Sequence, residues 1–186
     1  MGLAIVTGGS RGIGAAIAEK LAQDGHDVLI NCASSVEKAE AVAEKCRAYG
    51  VQAYVKQWDV ADYDACAAAL KEIKAEIGVP YILVNNAGVF SYLDILATPV
   101  ERIERMILLH DLTLSKNCRA FGADMAQRGS GYILNMSSYS VWMPFPGMAL
   151  YTATKAYVRC FSKAFAKEVA ERGVRVTAVC PAGVAT

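Results

Sequence analysis

The chain has 186 residues, 54% of them hydrophobic and 20% charged, and its formal net charge is +1. That length and balance suit one globular domain over residues 1–186 with a sizeable core, not a disordered tail. The charges form no basic run, so nothing asks for nucleic acid or an anionic membrane, and no apolar stretch approaches the ~20 residues of a membrane span.

Taken in chain order, residues 3–7 read as a strand, and the glycine-rich stretch Thr7-Gly8-Gly9-Ser10-Arg11-Gly12-Ile13-Gly14 follows it. Ile13, Ile17 and Leu21 then repeat every four residues, a helical stripe that stops at Asp24-Gly25. A strand over 27–32 precedes a second stripe, Ala39, Val42, Ala43 and Cys46, which ends near Gly50. A strand over 52–58 leads to a helix over 65–77, closed by Gly78. A strand over 81–85 is followed by a long helix after Pro99, whose ring pre-sets a first turn. A strand over 132–137, a helix from about 152 to 172 and a strand over 174–180 complete the series. Most strands are near-continuous apolar runs, as expected where both faces of a parallel sheet are covered. Strand and helix alternating about six times predict a doubly wound parallel α/β sheet in three layers, α/β/α, with no internal linker.

The cysteines at 32, 46, 66, 118, 160 and 180 are scattered, with no Cys-x-x-Cys pair, so reduced thiols are expected and no metal site. No charged segment precedes Leu3 and the first apolar run is short, so no secretory signal is expected and the cytoplasm is the default compartment.

The stretch Gly8, Gly12, Gly14 has the spacing G-x-x-x-G-x-G between a strand and a helix. Glycines there permit a tight turn and let backbone N–H groups approach a pyrophosphate, to which the helix N-terminus adds partial positive charge. At the end of the second strand, Asn31, Cys32, Ala33, Ser34 and Ser35 offer no carboxylate for an adenosine ribose. Arg11 can face a 2′-phosphate, so NADP(H) is preferred over NAD(H).

Tyr151 and Lys155 stand four residues apart on a predicted helix, hence on one face. A free tyrosine has a pKa of about 10, and lowering it by about 3 takes ~4 kcal/mol of preference for the phenolate. A nearby ammonium, with the positive charge of an oxidised nicotinamide, is an effect of that size. Ser138, at the C-terminal end of a strand, is placed to hold a substrate oxygen beside the phenol.

On these residues the chain resembles the short-chain dehydrogenase/reductase family along essentially all of its length. The resemblance implies a Rossmann-like fold, with Gly8, Ser10, Arg11, Gly12, Ile13 and Gly14 as the cofactor turn. Ser34 joins this set at the second strand's end. Asp59-Val60 matches the pair whose Asp meets the adenine amine, and Asn85-Asn86-Ala87-Gly88 the segment bracing the sheet beside the cofactor. Pro181 to Thr186 resembles the segment over the nicotinamide. Tyr151 is then general acid in reduction and general base in oxidation, Ser138 polarises the substrate oxygen, and Lys155 binds the nicotinamide ribose and lowers the Tyr151 pKa. Homodimers or homotetramers are the family's usual assemblies.

Three features depart from the family pattern. His110 stands 28 residues before Ser138, where the family commonly has an Asn thought to hold a relay water. A neutral imidazole both donates and accepts, so His110 can substitute; it can equally serve a neighbouring backbone group, and a one-residue shift offers Asp111. Pro181 is followed by Ala182 where the family has Gly, with Gly183 next. The chain also stops at Thr186, so the C-terminal part of the usual fold, with its substrate cover, is expected to be absent.

The resemblance places the segment before Tyr151 at the substrate mouth, where Trp142, Met143, Phe145 and Met148 would form an apolar wall with Phe90 and Tyr92 opposite, favouring an apolar carbonyl or secondary alcohol substrate; the same residues can instead pack a subunit interface or the missing cover. The expected function is hydride transfer between NADP(H) or NAD(H) and such a substrate. The alternative is a nucleotide-binding module or sensor without turnover.

Overall fold

The computed structural model describes residues 1–184, with the Tyr63 side chain outside that description. Six strands, β1 (Leu3–Val6), β2 (Asp27–Cys32), β3 (Ala53–Gln57), β4 (Ile82–Asn85), β5 (Gly131–Met136) and β6 (Val174–Val179), pair in parallel in the order β3-β2-β1-β4-β5-β6. β1 lies at the centre, with Ala4 opposite both Val28 and Ile82. The chain order reverses across the β1–β4 pair, and a crevice opens there outside the C-terminal ends of the strands.

Alternation along the strands builds the two helix layers. Ile5, Leu29, Leu83 and Ile133 point to one face and pack on α3 (Tyr63–Glu76), α5 (Leu114–Arg128) and α6 (Ala149–Val169). Ala4, Val6, Val28, Ile30 and Val84 point to the other and pack on α1 (Gly12–Gln23) and α2 (Val36–Arg47). Ala18, Ala22, Ala39 and Ala43 are almost fully enclosed there; their small side chains bring those helices close to the sheet. This is the predicted three-layer α/β/α arrangement.

The strands and most helices fall within a few residues of the expected bounds. The long helix after Pro99 does not run unbroken. It comprises α4 (Val100–Ile107), a π-helical segment Leu108–Thr113 and α5. An i→i+5 turn adds a residue and re-aims the side chains beyond it. Here it puts His110 and Thr113 inward, where Thr113 Oγ1 donates to the Val60 carbonyl at 2.7 Å.

A buried amide network crosslinks the sheet to two helices just below the crevice. Asn85 Nδ2 donates to Asn135 Oδ1 at 2.9 Å, Asn117 Nδ2 to Asn85 Oδ1 at 3.1 Å, and Asn135 Nδ2 to Ser162 Oγ at 2.9 Å. Polar side chains survive in this core because they satisfy one another. Among the described residues no helix is long and apolar enough to cross a membrane.

Candidate active site

The glycine turn is fixed from both sides. Thr7 Oγ1 accepts from the backbone N–H of Asn86 at 3.0 Å and of Ala87 at 3.1 Å. Asn86 Nδ2 donates to the carbonyls of Thr7 and Gly8, each at 3.0 Å. From β2, Asn31 Oδ1 accepts from the Gly8 N–H at 3.2 Å while its Nδ2 donates to the Trp58 carbonyl at 2.9 Å. Asn31 is therefore a buried brace that ties the turn to the β2 and β3 ends, not a ribose ligand. Gly8 and Gly12 hold φ of 62° and 55°, a region that side chains strain.

An open cleft of about 560 Å³ runs along these strand ends. Gly8, Ser10, Arg11, Gly12, Ile13, Gly14, Ser34, Asp59, Val60, Asn86, Ala87 and Gly88 all line it, so the structure brings together the cofactor residues expected from the sequence on this side. A dinucleotide fits this donor set. The first N–H groups of α1 open into the cleft behind Arg11, whose side chain does not cap the helix, and glycines leave the floor bare.

The adenosine side contains a pair that the sequence did not reveal. Arg105 on α4 donates from Nη2 to Asp59 Oδ2 at 2.9 Å, and the Ala61 N–H donates to Asp59 Oδ1 at 2.9 Å. Burial pushes the Asp59 carboxyl up, but the Ala61 N–H and the Arg105 guanidinium outweigh it and hold the group below its usual value.

On the other side of the switch point, α6 carries Tyr151 and Lys155. The ammonium is almost enclosed, donates to the Met136 carbonyl at 2.9 Å and lies 5.7 Å from the Tyr151 ring centre. Burial lowers Lys155 to about 8, against the raising effect of Asp111. Ser138 follows the end of β5, and its hydroxyl accepts from the Ser140 N–H at 3.2 Å. Burial raises the Tyr151 pKa and the Ser138 hydroxyl partly offsets this. The expected lowering by Lys155 is thus not produced by the protein alone. The ammonium donates to a carbonyl and lies over the ring 5.7 Å from its centre, and desolvation of the phenolate dominates.

His110 is enclosed, and both ring nitrogens have partners. Nε2 accepts from the Val89 N–H at 3.1 Å, and Nδ1 lies 2.9 Å from Thr154 Oγ1. Thr154 Oγ1 donates to the Tyr151 carbonyl at 2.8 Å. Burial and the Lys155 charge lower the imidazole to about 3, so it is neutral at physiological pH. Beside it, Asp111 Oδ1 is enclosed without a hydrogen-bond partner, and burial raises that carboxyl to about 6 despite Lys155.

Of the expected apolar wall, Trp142 faces the Arg159 guanidinium at 4.9 Å and packs with Tyr139 at 5.8 Å, which ties it to the outer side of α6. Phe145 is half exposed, and Met148 starts α6, its carbonyl accepting the Thr152 N–H at 2.8 Å. The ring that meets the phenol is Phe90, edge-on to Tyr151 at 5.0 Å. Tyr92 packs over Gly147, joining the loop after β4 to the loop before α6. Pro181 lies beside this region, its carbonyl accepting the Tyr139 N–H at 2.9 Å; like Ser138, Tyr151 and Lys155, it lies outside the lining of the open cleft. Thr186 lies outside the described residues. Among the described residues no group of three or more His, Cys, Asp or Glu is placed to hold a metal.

The family described as short chain dehydrogenase matches residues 2–186. A 3-oxoacyl-[acyl-carrier-protein] reductase FabG of Staphylococcus aureus is 41% identical over 179 residues, covering 96% of this chain and 72% of the relative. An acetoacetyl-CoA reductase of Paracoccus denitrificans is 38% identical over 184 residues, covering 99% of this chain and 74% of the relative. A solved short-chain dehydrogenase of Sphingobium yanoikuyae in complex with NADPH superposes with a TM-score of 0.93 at 32% identity, covering all of this chain and 72% of the other.

Proposed function

Because the chain belongs to the short chain dehydrogenase family and is an NAD(P)-dependent oxidoreductase, we propose that it reduces an apolar ketone with NADPH, a 3-oxoacyl thioester being the first to test. The observation that carries this reading is the placement of Tyr151 and Lys155 one turn apart on α6, the ammonium 5.7 Å from the ring centre, with the Ser138 hydroxyl as the side chain that favours the phenolate. The thioester is favoured because two relatives are named for 3-oxoacyl and acetoacetyl thioester reduction. NADPH is favoured by Arg11, by the lack of a carboxylate at Ser34 and by the likeness to an NADPH complex.

When bound, the dihydronicotinamide supplies a hydride to the carbonyl carbon. Ser138 donates a hydrogen bond to the carbonyl oxygen and holds it beside Tyr151. Tyr151 releases its proton to that oxygen as the C–O bond becomes an alkoxide. A raised phenol pKa keeps the proton in place until it is needed. Lys155 would hold the nicotinamide ribose and places positive charge near the phenolate that forms. Phe90 borders the phenol and limits the substituents a ketone can carry on that side. Self-association through the exposed strip Ile107, Leu108, Leu112 and Tyr157 belongs to the same reading and is measured by light scattering.

The test is a fluorescence titration with NADPH and NADH, followed by a hydride-transfer assay on 3-oxoacyl thioesters, bulky ketones and polyols. Wild type is compared with Tyr151→Phe. Binding together with Tyr151-dependent reduction of the thioesters is expected. A second reading, binding without turnover, is favoured by the net rise in the Tyr151 pKa, in which burial outweighs the Ser138 hydroxyl; it requires binding with no Tyr151-dependent rate.

A further inference from the structure

The dinucleotide reading orients the cofactor along the cleft. Its nicotinamide belongs with Ser138, Tyr151 and Lys155, and its pyrophosphate with the N-terminus of α1. The adenosine then lies across β1, over the C-terminal ends of β2 and β3. Two cations line that end, and they are used differently. Arg11 makes no hydrogen bond or ion pair among the described residues, and its guanidinium is exposed at the turn. Arg105 reaches from α4 to Asp59, a residue 46 positions away just past the end of β3, and both line the cleft.

Asp59 is held at both oxygens, by Arg105 and by the Ala61 N–H. Two held oxygens fix the plane of a carboxylate. Such a group has about four lone-pair directions, so two remain for an incoming donor. A purine presents such a donor in its exocyclic amine. The charge of Arg105 is balanced by Asp59, so the pair is indifferent to an added 2′-phosphate, and the uncommitted Arg11 is not.

We infer that Arg105 is a positioning residue for the adenine end of the cofactor, acting through Asp59. This rests on the dinucleotide reading above. Arg105 is half exposed, so its removal leaves the core intact.

The experiment measures Kd for NADPH and NADH by fluorescence with wild type, Arg105→Ala, Arg105→Lys, Asp59→Asn, the Arg105→Ala/Asp59→Asn double variant and Arg11→Ala. Arg105→Ala is expected to weaken both cofactors about tenfold, the size of one charge-assisted hydrogen bond, with their ratio unchanged within about twofold. Lys at 105 restores part of the loss, the double variant is no worse than the weaker single one, and Arg11→Ala collapses the ratio. A loss confined to NADPH in Arg105→Ala makes Arg105 a phosphate ligand and overturns the inference. Unchanged Kd values overturn it as well, as do losses that add in the double variant. Failure of the wild type to bind either dinucleotide removes the underlying reading and the inference together.

Discussion

His110 Nδ1 and Thr154 Oγ1 lie 2.9 Å apart, and the direction of that hydrogen bond is fixed by the partners at its two ends. Val89 N–H donates to Nε2, so the single proton of a neutral imidazole sits on Nδ1 and points at Thr154. Thr154 passes its own proton to the Tyr151 carbonyl. The π-helical segment is thereby linked, through two side chains, to the backbone that carries the phenol. These contacts support a clamp, with the one imidazole proton committed to Thr154; a relay is the other expected use of His110.

The clamp predicts that His110→Ala lowers kcat about tenfold, the effect of one buried hydrogen bond on the placement of Tyr151, and leaves the NADPH Kd within about twofold. Thr154→Val should reproduce the loss. Steady-state kinetics and cofactor titration check both. A relay role would instead change the pH dependence of kcat between pH 6 and 9, where the clamp predicts a constant ratio of variant to wild type.

A methyl group at position 14 would lie 2.5 Å from both the Gly8 carbonyl oxygen and Asn86 Nδ2. Neither can yield easily, since Asn86 holds the turn to the end of β4 through the Thr7 and Gly8 carbonyls. Gly14→Ala is therefore expected to open the turn, lower Tm by several degrees and weaken NADPH more than tenfold. A thermal melt and a fluorescence titration measure these effects.

Phe90→Ala removes the ring that lies edge-on to Tyr151 at 5.0 Å. The expected result is a shift in kcat/KM of about tenfold or more toward ketones with a bulky substituent next to the carbonyl, against small ones, since filling the vacated space is worth ~1–3 kcal/mol. Trp142→Ala, whose ring is engaged with Arg159, should leave that ratio unchanged. Competition assays with paired ketones decide between the two positions.

The sheet and the glycine turn were legible because their signals are local: apolar runs, helical stripes, and glycines between a strand and a helix. Tyr151 and Lys155 share a helix face for the same reason. The signals that failed are tertiary. The stripe after Pro99 reads as one helix, because a π turn keeps apolar periodicity while adding a residue, and its position depends on Val89 and Thr154, far away in sequence. Arg105 looks like any exposed helix charge until β3 brings Asp59 to it. Trp142 and Phe90 are both aromatic residues near the site, and which one meets the phenol depends on loop paths that no periodicity encodes.

The amide network predicts a stability effect separable from catalysis. Asn135 is fully enclosed and joins β4 to α6 through Asn85 and Ser162. Asn135→Ala leaves Asn85 Nδ2 with only the Cys118 sulfur as acceptor and Ser162 Oγ without its donor, both away from water. The expected cost is about 3 kcal/mol, or a Tm lower by roughly 6–12 °C for a chain of this size. Urea denaturation with an unchanged m-value would confirm that stability alone is affected.

Three groups around Tyr151 make folding stability depend on pH in opposite senses. His110 drops from an ordinary 6.5 to about 3, so between those values the unfolded chain binds the extra proton and stability falls as the solution is acidified. Lys155 drops from 10.5 to about 8, so its cost is full below pH 8 and is relieved as pH rises toward 10.5. Asp111 rises from 3.8 to about 6, so across that interval the folded chain binds the extra proton; its carboxylate destabilises the fold above pH 6, and this cost disappears below about pH 4. Asp111→Asn should accordingly raise stability at pH 7.5 and have no effect at pH 4. His110→Asn should flatten the acid limb between pH 6.5 and 3. Urea titrations of the three proteins at pH 4, 5.5 and 7.5 read both effects. If Asp111→Asn is the weaker protein at pH 7.5, attraction to Lys155 outweighs the desolvation of the carboxylate, and the enclosed Oδ1 is a stabilising counter-charge to the lysine.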